Sequence, residues 1–242
     1  MIKKSNIRGI MIADGTMDEA VGFISDKLSS GESVSIFTPN AEIAYRALKD
    51  ASLMTILNAC DMAVPDGIGI VKASRILGCP LREKVAGVDL GLRIADLAEK
   101  CGYNVYLYGG MPGIAEKAAE ELTKRFPNIS ISGTSHGYRN DKSTLIEDIN
   151  ASGAQILYVC LGSPMQEKWI NENKDHLPNV RLLIGLGGSL DIYAGKAKRA
   201  PKVFIRLGLE WFYRLISDPK RIVRMAALPR FYFGTWLYRF RQ

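Results

Sequence analysis

Small polar residues follow several of the apolar, β-branched runs in this sequence. Asp66 comes directly after one run, and Asn40 ends the segment TPN that follows another. A carboxylate in such a place suits the removal of a proton from a hydroxyl nucleophile, although Asp66 could equally be an ordinary turn residue or a helix N-cap. Asn40 could likewise only cap a helix that begins near Ala41. The two residues predict base and recognition chemistry at the ends of strands.

Glycines at the other run ends favour close approach of backbone N–H groups to phosphate. The positions predicted to bind a nucleotide are Gly109, Gly110, Tyr138, Gly162, Gly187, Gly188 and Asp191. Structural explanations exist beside these, because a Gly109-Gly110 pair suits a tight turn and Asp191 can cap a turn as well as bind a ribose. The segment GGMPG also departs from the Gly-x-Gly-x-x-Gly dinucleotide pattern at Met111.

Alternating strand and helix patterns must position these residues. Strands are predicted over 7–12, 34–38, 62–64, 105–108, 129–134, 156–161 and 181–185. This alternation is typical of βαβ units, so we predict an α/β fold with a Rossmann-like, mainly parallel sheet and helices on both faces. Ligands bind beyond the carboxyl ends of such strands, where Asp66, Asn40 and the glycines would meet.

Helix start signals lie between the predicted strands. Thr16 and Glu19 form a capping box, Pro112 and Pro164 suit first turns, and Asp141 can cap a helix. In GSPMQEKW, Gln166 and Glu167 begin another helix, where Glu167 could do no more than favour the helix dipole.

After Gly195 the pattern predicts helices only. One opens at Pro201, a second at Asp218 with Pro219, and a third near Pro229. The first carries an apolar stripe at three- and four-residue spacing, formed by Phe204, Leu207, Trp211 and Leu215.

The charge of the chain is divided unevenly along its length. The net charge of +7 combines a body, residues 1–195, at −3 with a C-terminal segment, residues 196–242, at +10. That segment, called the appendage below, also holds 10 of the 21 aromatic residues. Basic, aromatic helices suit an anionic membrane surface, while RNA binding needs similar chemistry and stays an alternative.

Three arginines of the appendage are spaced to act together. Arg221 and Arg224 are three residues apart on one predicted helical face, and Arg214 belongs to the preceding helix. They could converge on a diphosphate, or they could form only a solvated basic face.

Several protein classes are excluded by composition. No uncharged apolar run approaches the roughly 18 residues of a spanning helix, and the N-terminus does not resemble a signal peptide. The four cysteines include no Cys-x-x-Cys pair, which favours reduced thiols in a cytosolic protein. No Asp-x-Asp occurs in the chain, so the sequence predicts neither a metal nor a cofactor, and leaving-group charge would be met by cations or backbone dipoles.

Together these motifs resemble the WecG/TagA/CpsF family of bacterial glycosyltransferases over nearly the whole chain. The segments that carry the resemblance are TPN with Glu42, PDGIG, AGVDL, YLYGG, GSPMQE, GLGGSLDIYAGKAKRAP and GLEWFYRL. The resemblance is greatest to the teichoic-acid branch. It implies a catalytic, UDP-sugar-binding domain over 1–195 and an appendage over 196–242 for membrane association and diphosphate binding.

The resemblance also implies a reaction and roles for individual residues. The reaction would be a metal-independent, inverting transfer of N-acetylmannosamine from UDP-N-acetylmannosamine to the C4 hydroxyl of GlcNAc-diphospho-undecaprenol, the first committed step of wall teichoic acid synthesis. Asp66 would be the general base. The remaining residues matched to substrate binding are Thr38, Asn40 and Gln166 at the sugar, and Arg214, Arg221 and Arg224 at a diphosphate.

Location and partners follow from the same resemblance. The protein would lie on the inner face of the cell membrane, without nucleic acid, and could form homo-oligomers. Alternatives are another UDP-sugar donor, such as UDP-N-acetylmannosaminuronate, UDP-glucose or UDP-galactose, and a non-enzymatic nucleotide- or RNA-binding module.

Overall fold

A computed structural model describes residues 2–139, 141–217 and 226–240. The strands are β1 (Lys4–Ile7), β2 (Ile10–Ala13), β3 (Val34–Phe37), β4 (Met62–Ala63), β5 (Asn104–Gly109), β6 (Ser130–Ser135), β7 (Ile156–Cys160) and β8 (Leu182–Gly185). The helices of the body are α1 (Met17–Ser30), α2 (Ala41–Ala47), α3 (Ala51–Ala59), α4 (Ile68–Ile76), α5 (Gly87–Cys101), α6 (Ile114–Arg125), α7 (Lys142–Ala151), α8 (Met165–Asn173) and α9 (Ser189–Tyr193). The appendage contains α10 (Lys202–Arg206), α11 (Glu210–Ser217) and α12 (Ala227–Arg239).

Six strands form one sheet in the order β4-β3-β8-β7-β5-β6, and all of its pairings are parallel. Successive side chains point to opposite faces, so Phe37 enters one hydrophobic cluster and Ile36 the other. The Rossmann-like α/β fold predicted from the sequence is confirmed.

Helices cover both faces of this sheet. On the first face, α2, α3, α4, α7 and α8 pack around one hydrophobic cluster; on the second, α1, α5, α6 and α9 pack around another. The helices that follow β3 and β7 lie on the first face, whereas α9, which follows β8 between them, lies on the second. Crevices therefore open at the carboxyl ends of these three central strands, as in other open parallel sheets.

The predicted first strand, 7–12, is wrong. The segment forms an antiparallel hairpin of β1 and β2, separate from the main sheet, with a two-residue turn at Arg8 and Gly9. Both turn residues have positive φ, +56° and +94°, as a tight hairpin turn requires. Asn58 of α3 holds the hairpin by accepting from Met11 N–H and donating to the Gly9 carbonyl.

Two of the predicted helix start signals are confirmed. Thr16 and Glu19 make the capping box of α1, and Asp141 caps α7 by accepting from Ser143 N–H and Thr144 N–H. The prolines are displaced from their predicted places, because Pro112 precedes the N-cap of α6 and Pro164 is itself the N-cap of α8.

The described part of the appendage contains helices from Lys202 onward and no strand. The single helix predicted from Pro201 is wrong, since α10 ends at Arg206 and the chain turns at Gly208, whose φ is +69°. The second predicted start, at Asp218 and Pro219, lies outside the described residues. Helix α12 begins at Ala227, two residues before the predicted start at Pro229. Its Phe231 is completely buried in the cluster on the first face of the sheet.

Candidate active site

The carboxyl ends of the parallel strands carry most of the predicted site residues in one row. Asp66 follows edge strand β4, and Tyr138 follows the opposite edge strand β6. Since neighbouring strands lie about 4.8 Å apart, the two edge strands are about 24 Å apart. A single sugar therefore cannot contact both ends of the row.

At the β4 end, Asp66 and Asn40 are neighbours. Asp66 N–H donates to the Pro39 carbonyl at 3.1 Å, and a Cβ on Gly67 would lie 4.0 Å from the Asn40 Cβ. Asn40 caps α2, with Oδ1 accepting from Ile43 N–H at 3.0 Å. The cap predicted as the structural alternative is present, and the Nδ2 of Asn40 makes no hydrogen bond to the described residues.

Thr38 lies below this end of the row. Its hydroxyl donates to the Gly185 carbonyl at 2.9 Å, joining β3 to β8, and the side chain is buried. A Cβ on Gly87 would lie 3.1 Å from the Thr38 Oγ1, so the N-terminus of α5 closes over it. In this arrangement Thr38 supports the crevice from beneath.

Gln166 and Glu167 are enclosed at the start of α8, each with an exposed fraction of 1%. Gln166 Oε1 accepts from Gly187 N–H at 2.8 Å, and its Nε2 donates to Glu167 Oε1 at 3.1 Å. Burial raises the pKa of the Glu167 carboxyl, against the opposing influence of Arg46. Gln166 thus bridges the ends of β7 and β8.

The glycine turns are tightly packed. A Cβ on Gly109, whose φ is +133°, would lie 2.3 Å from the Cys160 carbonyl oxygen. Gly110 N–H donates to that same oxygen at 3.2 Å. This geometry favours the tight-turn explanation for the pair, because the Gly110 amide predicted to meet phosphate is engaged within the fold. The Gly187 amide is engaged in the same way, by Gln166.

The other residues predicted to bind a nucleotide differ in exposure. Tyr138 is exposed, so its ring is accessible at the β6 end of the row. Gly162 has φ +74° and follows β7, whereas Gly188 is the N-cap of α9. Asp191 lies in the first turn of α9, where its carboxylate would be 4.0 Å from a Cβ on Gly188.

The appendage packs directly beside the Asp66 end. Gly208, between α10 and α11, lies against Ile68, the first residue of α4. Lys84 Nζ pairs with Glu210 Oε2 of α11 at 2.7 Å, and both side chains are 21% exposed. Lys84 is next to Val85, whose N–H donates to the Pro65 carbonyl at 2.9 Å. A cation thus lies on the segment that contacts the residue before Asp66.

Helix α12 covers the same region from another side. A Cβ on Gly69 would lie 2.7 Å from the Ala41 Cβ and 3.6 Å from the Tyr232 hydroxyl. The N-termini of α2 and α4 therefore touch, and Tyr232 of α12 reaches their junction. Burial raises the pKa of the Tyr232 hydroxyl, so it remains a protonated donor.

The predicted arginine triad is only partly described. Arg214 lies in α11, and its side chain is outside the described part. Arg221 and Arg224 lie outside the described residues. Within residues 2–139, 141–217 and 226–240, no group of three or more His, Cys, Asp or Glu side chains is arranged to hold a metal ion. A surface depression of about 780 Å³ lies between α6 and β6 and includes none of the strand-end residues above.

Comparison with known proteins identifies the family. The sequence profile of the glycosyl transferase WecG/TagA/CpsF family matches residues 5–242. The chain belongs to this family. Two Bacillus relatives are named N-acetylglucosaminyldiphosphoundecaprenol N-acetyl-beta-D-mannosaminyltransferase. The relative from Bacillus subtilis is 39% identical over 81% of this chain and 76% of its own length. The relative from Bacillus spizizenii is 36% identical over 84% of this chain and 79% of its own length. A relative with the same name from Staphylococcus aureus strain MRSA252 is 32% identical over 94% of this chain and 90% of its own length.

Three residues of this WecG/TagA/CpsF glycosyltransferase were missed by sequence reasoning and are placed at the site by the fold. Lys84 stands in a loop, and its partner Glu210 is 126 residues away in the chain. Arg46 of α2 donates to the Ser163 carbonyl, which precedes α8, and also pairs with Glu42 at 3.2 Å. Tyr232 was predicted only as one of many aromatics. None of them belongs to a spaced motif, so no sequence signal distinguishes them.

Proposed function

We propose that this glycosyltransferase moves N-acetylmannosamine from UDP-N-acetylmannosamine to the C4 hydroxyl of GlcNAc-diphospho-undecaprenol, without a metal ion and with inversion. This is the reaction that the resemblance implies for the first committed step of wall teichoic acid synthesis. The names of the Bacillus and Staphylococcus relatives support the acceptor and the transferred sugar. The observation that carries the proposal within this chain is the position of Asp66 beside Asn40, under the appendage.

In the proposed reaction Asp66 acts as general base. Its carboxylate accepts the proton of the acceptor C4 hydroxyl as that oxygen attacks the anomeric carbon of the donor sugar. The bond from the anomeric carbon to the UDP oxygen breaks with its electron pair remaining on UDP. A β-linked product, as in the relatives' name, follows from an α-linked donor by one such displacement. In this proposal Asn40 Nδ2 donates to the sugar next to Asp66.

The departing UDP needs charge stabilisation, which cations and oriented donors supply in enzyme active sites. Lys84 is a candidate on the Asp66 side of the crevice, where Glu210 now holds its ammonium. Arg214, Arg221 and Arg224 are proposed, by resemblance, to meet a diphosphate from the appendage. The positive charge of the appendage, +10 over 47 residues, supports this role.

The outer face of α12 supports association with a membrane that carries the lipid acceptor. Phe233, Trp236 and Phe240 are 64%, 50% and 69% exposed, and they follow one another at three- and four-residue spacing. Their rings contact in sequence, with centroids 6.4 and 4.7 Å apart. None of the described helices is both long and apolar enough to cross a bilayer. We infer that this exposed aromatic stripe lies in the interface of an anionic membrane, where aromatic side chains are favoured, while the side of α12 that carries the buried Phe231 packs on the body.

A transfer assay tests the proposal directly. Purified protein would be given a synthetic GlcNAc-diphospholipid with, in separate reactions, UDP-N-acetylmannosamine, UDP-N-acetylmannosaminuronate, UDP-glucose and UDP-galactose, each with and without a chelator. We expect transfer from UDP-N-acetylmannosamine that the chelator does not stop. Transfer from another donor only would contradict UDP-N-acetylmannosamine as the donor. Loss of activity with chelator would contradict the metal-free mechanism. No transfer from any donor would overturn the whole proposal.

A further inference from the structure

Glu167 is a buried carboxyl group that the proposed reaction does not use. It lies in the first turn of α8 and is enclosed among protein atoms. Its Oε2 atom is fully enclosed and makes no hydrogen bond to the described residues. Burial of an acidic group in this way costs free energy unless the carboxyl group is given partners. Because its burial costs folding free energy, we expect the Glu167 carboxyl to have a role that an apolar side chain could not fill.

The other oxygen of Glu167 begins a chain of hydrogen bonds that leads to the turn after β8. Glu167 Oε1 accepts from Gln166 Nε2 at 3.1 Å, and Gln166 Oε1 accepts from Gly187 N–H at 2.8 Å. These two bonds define the orientation of the Gln166 amide, because a flipped amide would place its NH₂ group against a donor and its oxygen against an acceptor. Glu167 and the Gly187 amide therefore together fix which way the Gln166 amide faces.

Packing around Gln166 allows little other movement. A Cβ on Gly185 would lie 2.9 Å from the Gln166 Nε2, so the amide fills the space left by the absent side chain. Gly187 has φ +57°, a conformation that most residues adopt only at a cost. The Gln166 bond supports this turn, which continues through Gly188 into α9.

Among the described residues, one charged side chain acts on the Glu167 carboxyl. Arg46, on the neighbouring helix α2, lowers the pKa of Glu167 against the effect of burial and is itself held by the Ser163 carbonyl and by Glu42. Arg46 therefore ties the segment before α8 to α2, beside the chain of hydrogen bonds from Glu167 to Gly187.

We propose that Glu167 is a positioning residue for the donor: by fixing the Gln166 amide it sets the Gly187-Gly188 turn against which the nucleotide of the UDP-sugar binds. The proposal rests on the proposed function in taking that turn as part of the donor site. It assigns to the Gln166-Glu167 pair an effect on donor binding, with no direct effect on the acceptor.

The test uses two variants that change the length and the charge of the Glu167 side chain separately. In Glu167→Gln the Oε1 acceptor is kept and the charge is removed, whereas in Glu167→Asp the charge is kept and the side chain is one methylene too short to reach Gln166. Glu172→Ala is a matched control, because Glu172 is an exposed carboxylate on the same helix. The measurements are the Kd for UDP by calorimetry, the separate KM values for UDP-N-acetylmannosamine and the lipid acceptor, kcat, and the Tm.

We expect Glu167→Asp to raise the UDP Kd and the donor KM about tenfold, the size of one lost hydrogen bond to a charged group. The acceptor KM should stay within about twofold. Glu167→Gln should remain within about threefold of the unchanged protein in every binding measurement, and Glu172→Ala should match it.

Three outcomes would overturn the proposal. Glu167→Asp could bind UDP and donor normally, Glu167→Gln could be the impaired variant, or donor and acceptor KM could rise together in step with a fall in Tm, as a general packing defect would cause. Binding of UDP by the unchanged protein is measured independently of transfer. A protein that binds UDP but transfers no sugar would therefore contradict the proposed function and leave the Glu167 comparison intact.

Discussion

In the row of residues at the carboxyl ends of the strands, the Asp66 end and the centre at Gln166 are built in different ways. Around Asp66 the polar groups are partly accessible, and distant parts of the chain cover them: Lys84 pairs with Glu210, and Tyr232 reaches the junction of α2 and α4. At the centre, Gln166 and Glu167 are enclosed and bond to their own neighbours and to the Gly187 turn. The first arrangement suits chemistry on a substrate that enters beneath the appendage, and the second suits a fixed support for a bound nucleotide.

Replacement of Asp66 is expected to have the largest effect. Asp66→Asn keeps the shape of the side chain and removes the base, so transfer should fall by about 10²- to 10⁴-fold, the usual contribution of general base catalysis. The UDP Kd should change little, because UDP is expected to bind mainly at the centre of the row. Transfer rates and calorimetry on one preparation measure both effects.

The control for that variant is Asp26→Asn, which alters an exposed aspartate of α1. It should leave transfer and UDP binding unchanged. Near-normal transfer by Asp66→Asn would show that Asp66 is not the base. Equal losses of transfer and of UDP affinity would show that the Asp66 end and the centre of the row do not have separate roles.

Phe231→Ala tests whether the cover of the Asp66 end is part of the folded body. Phe231 is completely buried, and removal of a buried phenylalanine side chain costs about 3–5 kcal/mol of unfolding free energy. Denaturant unfolding at equilibrium measures this loss, and Phe233→Ala on the exposed face of the same helix is the matched control. A change below about 1 kcal/mol in Phe231→Ala would mean that α12 does not pack on the body in solution.

The exposed stripe of α12 gives a smaller and more selective effect. Changing Phe233, Trp236 and Phe240 together to serine should reduce binding to anionic vesicles and transfer to a long-chain lipid acceptor by about tenfold or more, because apolar burial in the interface is lost. Transfer to a short-chain, water-soluble GlcNAc-diphosphate acceptor should stay within about twofold. An equal loss with both acceptors would show that the stripe acts on the catalytic site itself.

The ion pair between Lys84 and Glu210 allows a double-mutant cycle across the body and the appendage. The pair is partly buried, so a coupling of about 1 kcal/mol in unfolding free energy is expected from the variants Lys84→Met, Glu210→Gln and their combination. Lys84→Met should also lower kcat, whereas Glu210→Gln should not. Additive stability changes would mean that the pair does not hold the appendage.

Sequence reasoning predicted the parallel strands better than it predicted the contacts at the site. Buried runs such as 156–161 carry their own signal, since β-branched residues bounded by glycine are typical of central strands. The hairpin was missed because Arg8 occupies the first turn position, which has positive φ and where Asn, Asp or Gly is the usual sequence signal. Lys84 and Glu210 meet only after the chain has folded, so neither spacing nor composition could pair them.

The site itself was predicted unevenly for the same reason. Asp66 and Asn40 were found because each stands at the end of a recognisable strand. Glu167 was explained by the helix dipole, which describes its place in the first turn of α8 but not its burial. Burial is a property of the assembled fold, set by α2 and the β8 turn packing around the residue.

The pH dependence of stability gives the smallest expected effect and concerns the centre of the row alone. Burial raises the pKa of Glu167 in the folded state above its value in the unfolded chain, so the folded state binds this proton more tightly. Ionisation of the group therefore costs folding free energy as the pH rises above the ordinary glutamate pKa, and this cost is absent at pH values below it. Glu167→Gln cannot ionise, so its Tm should exceed that of the unchanged protein by about 1–3 °C at pH 8 and should match it near pH 4. Thermal unfolding of both proteins across this range, with Glu172→Gln as the exposed control, measures the difference. A Tm difference that does not depend on pH would show that the groups around Glu167 fully compensate its charge, and burial of that carboxyl would then not distinguish the centre from the Asp66 end.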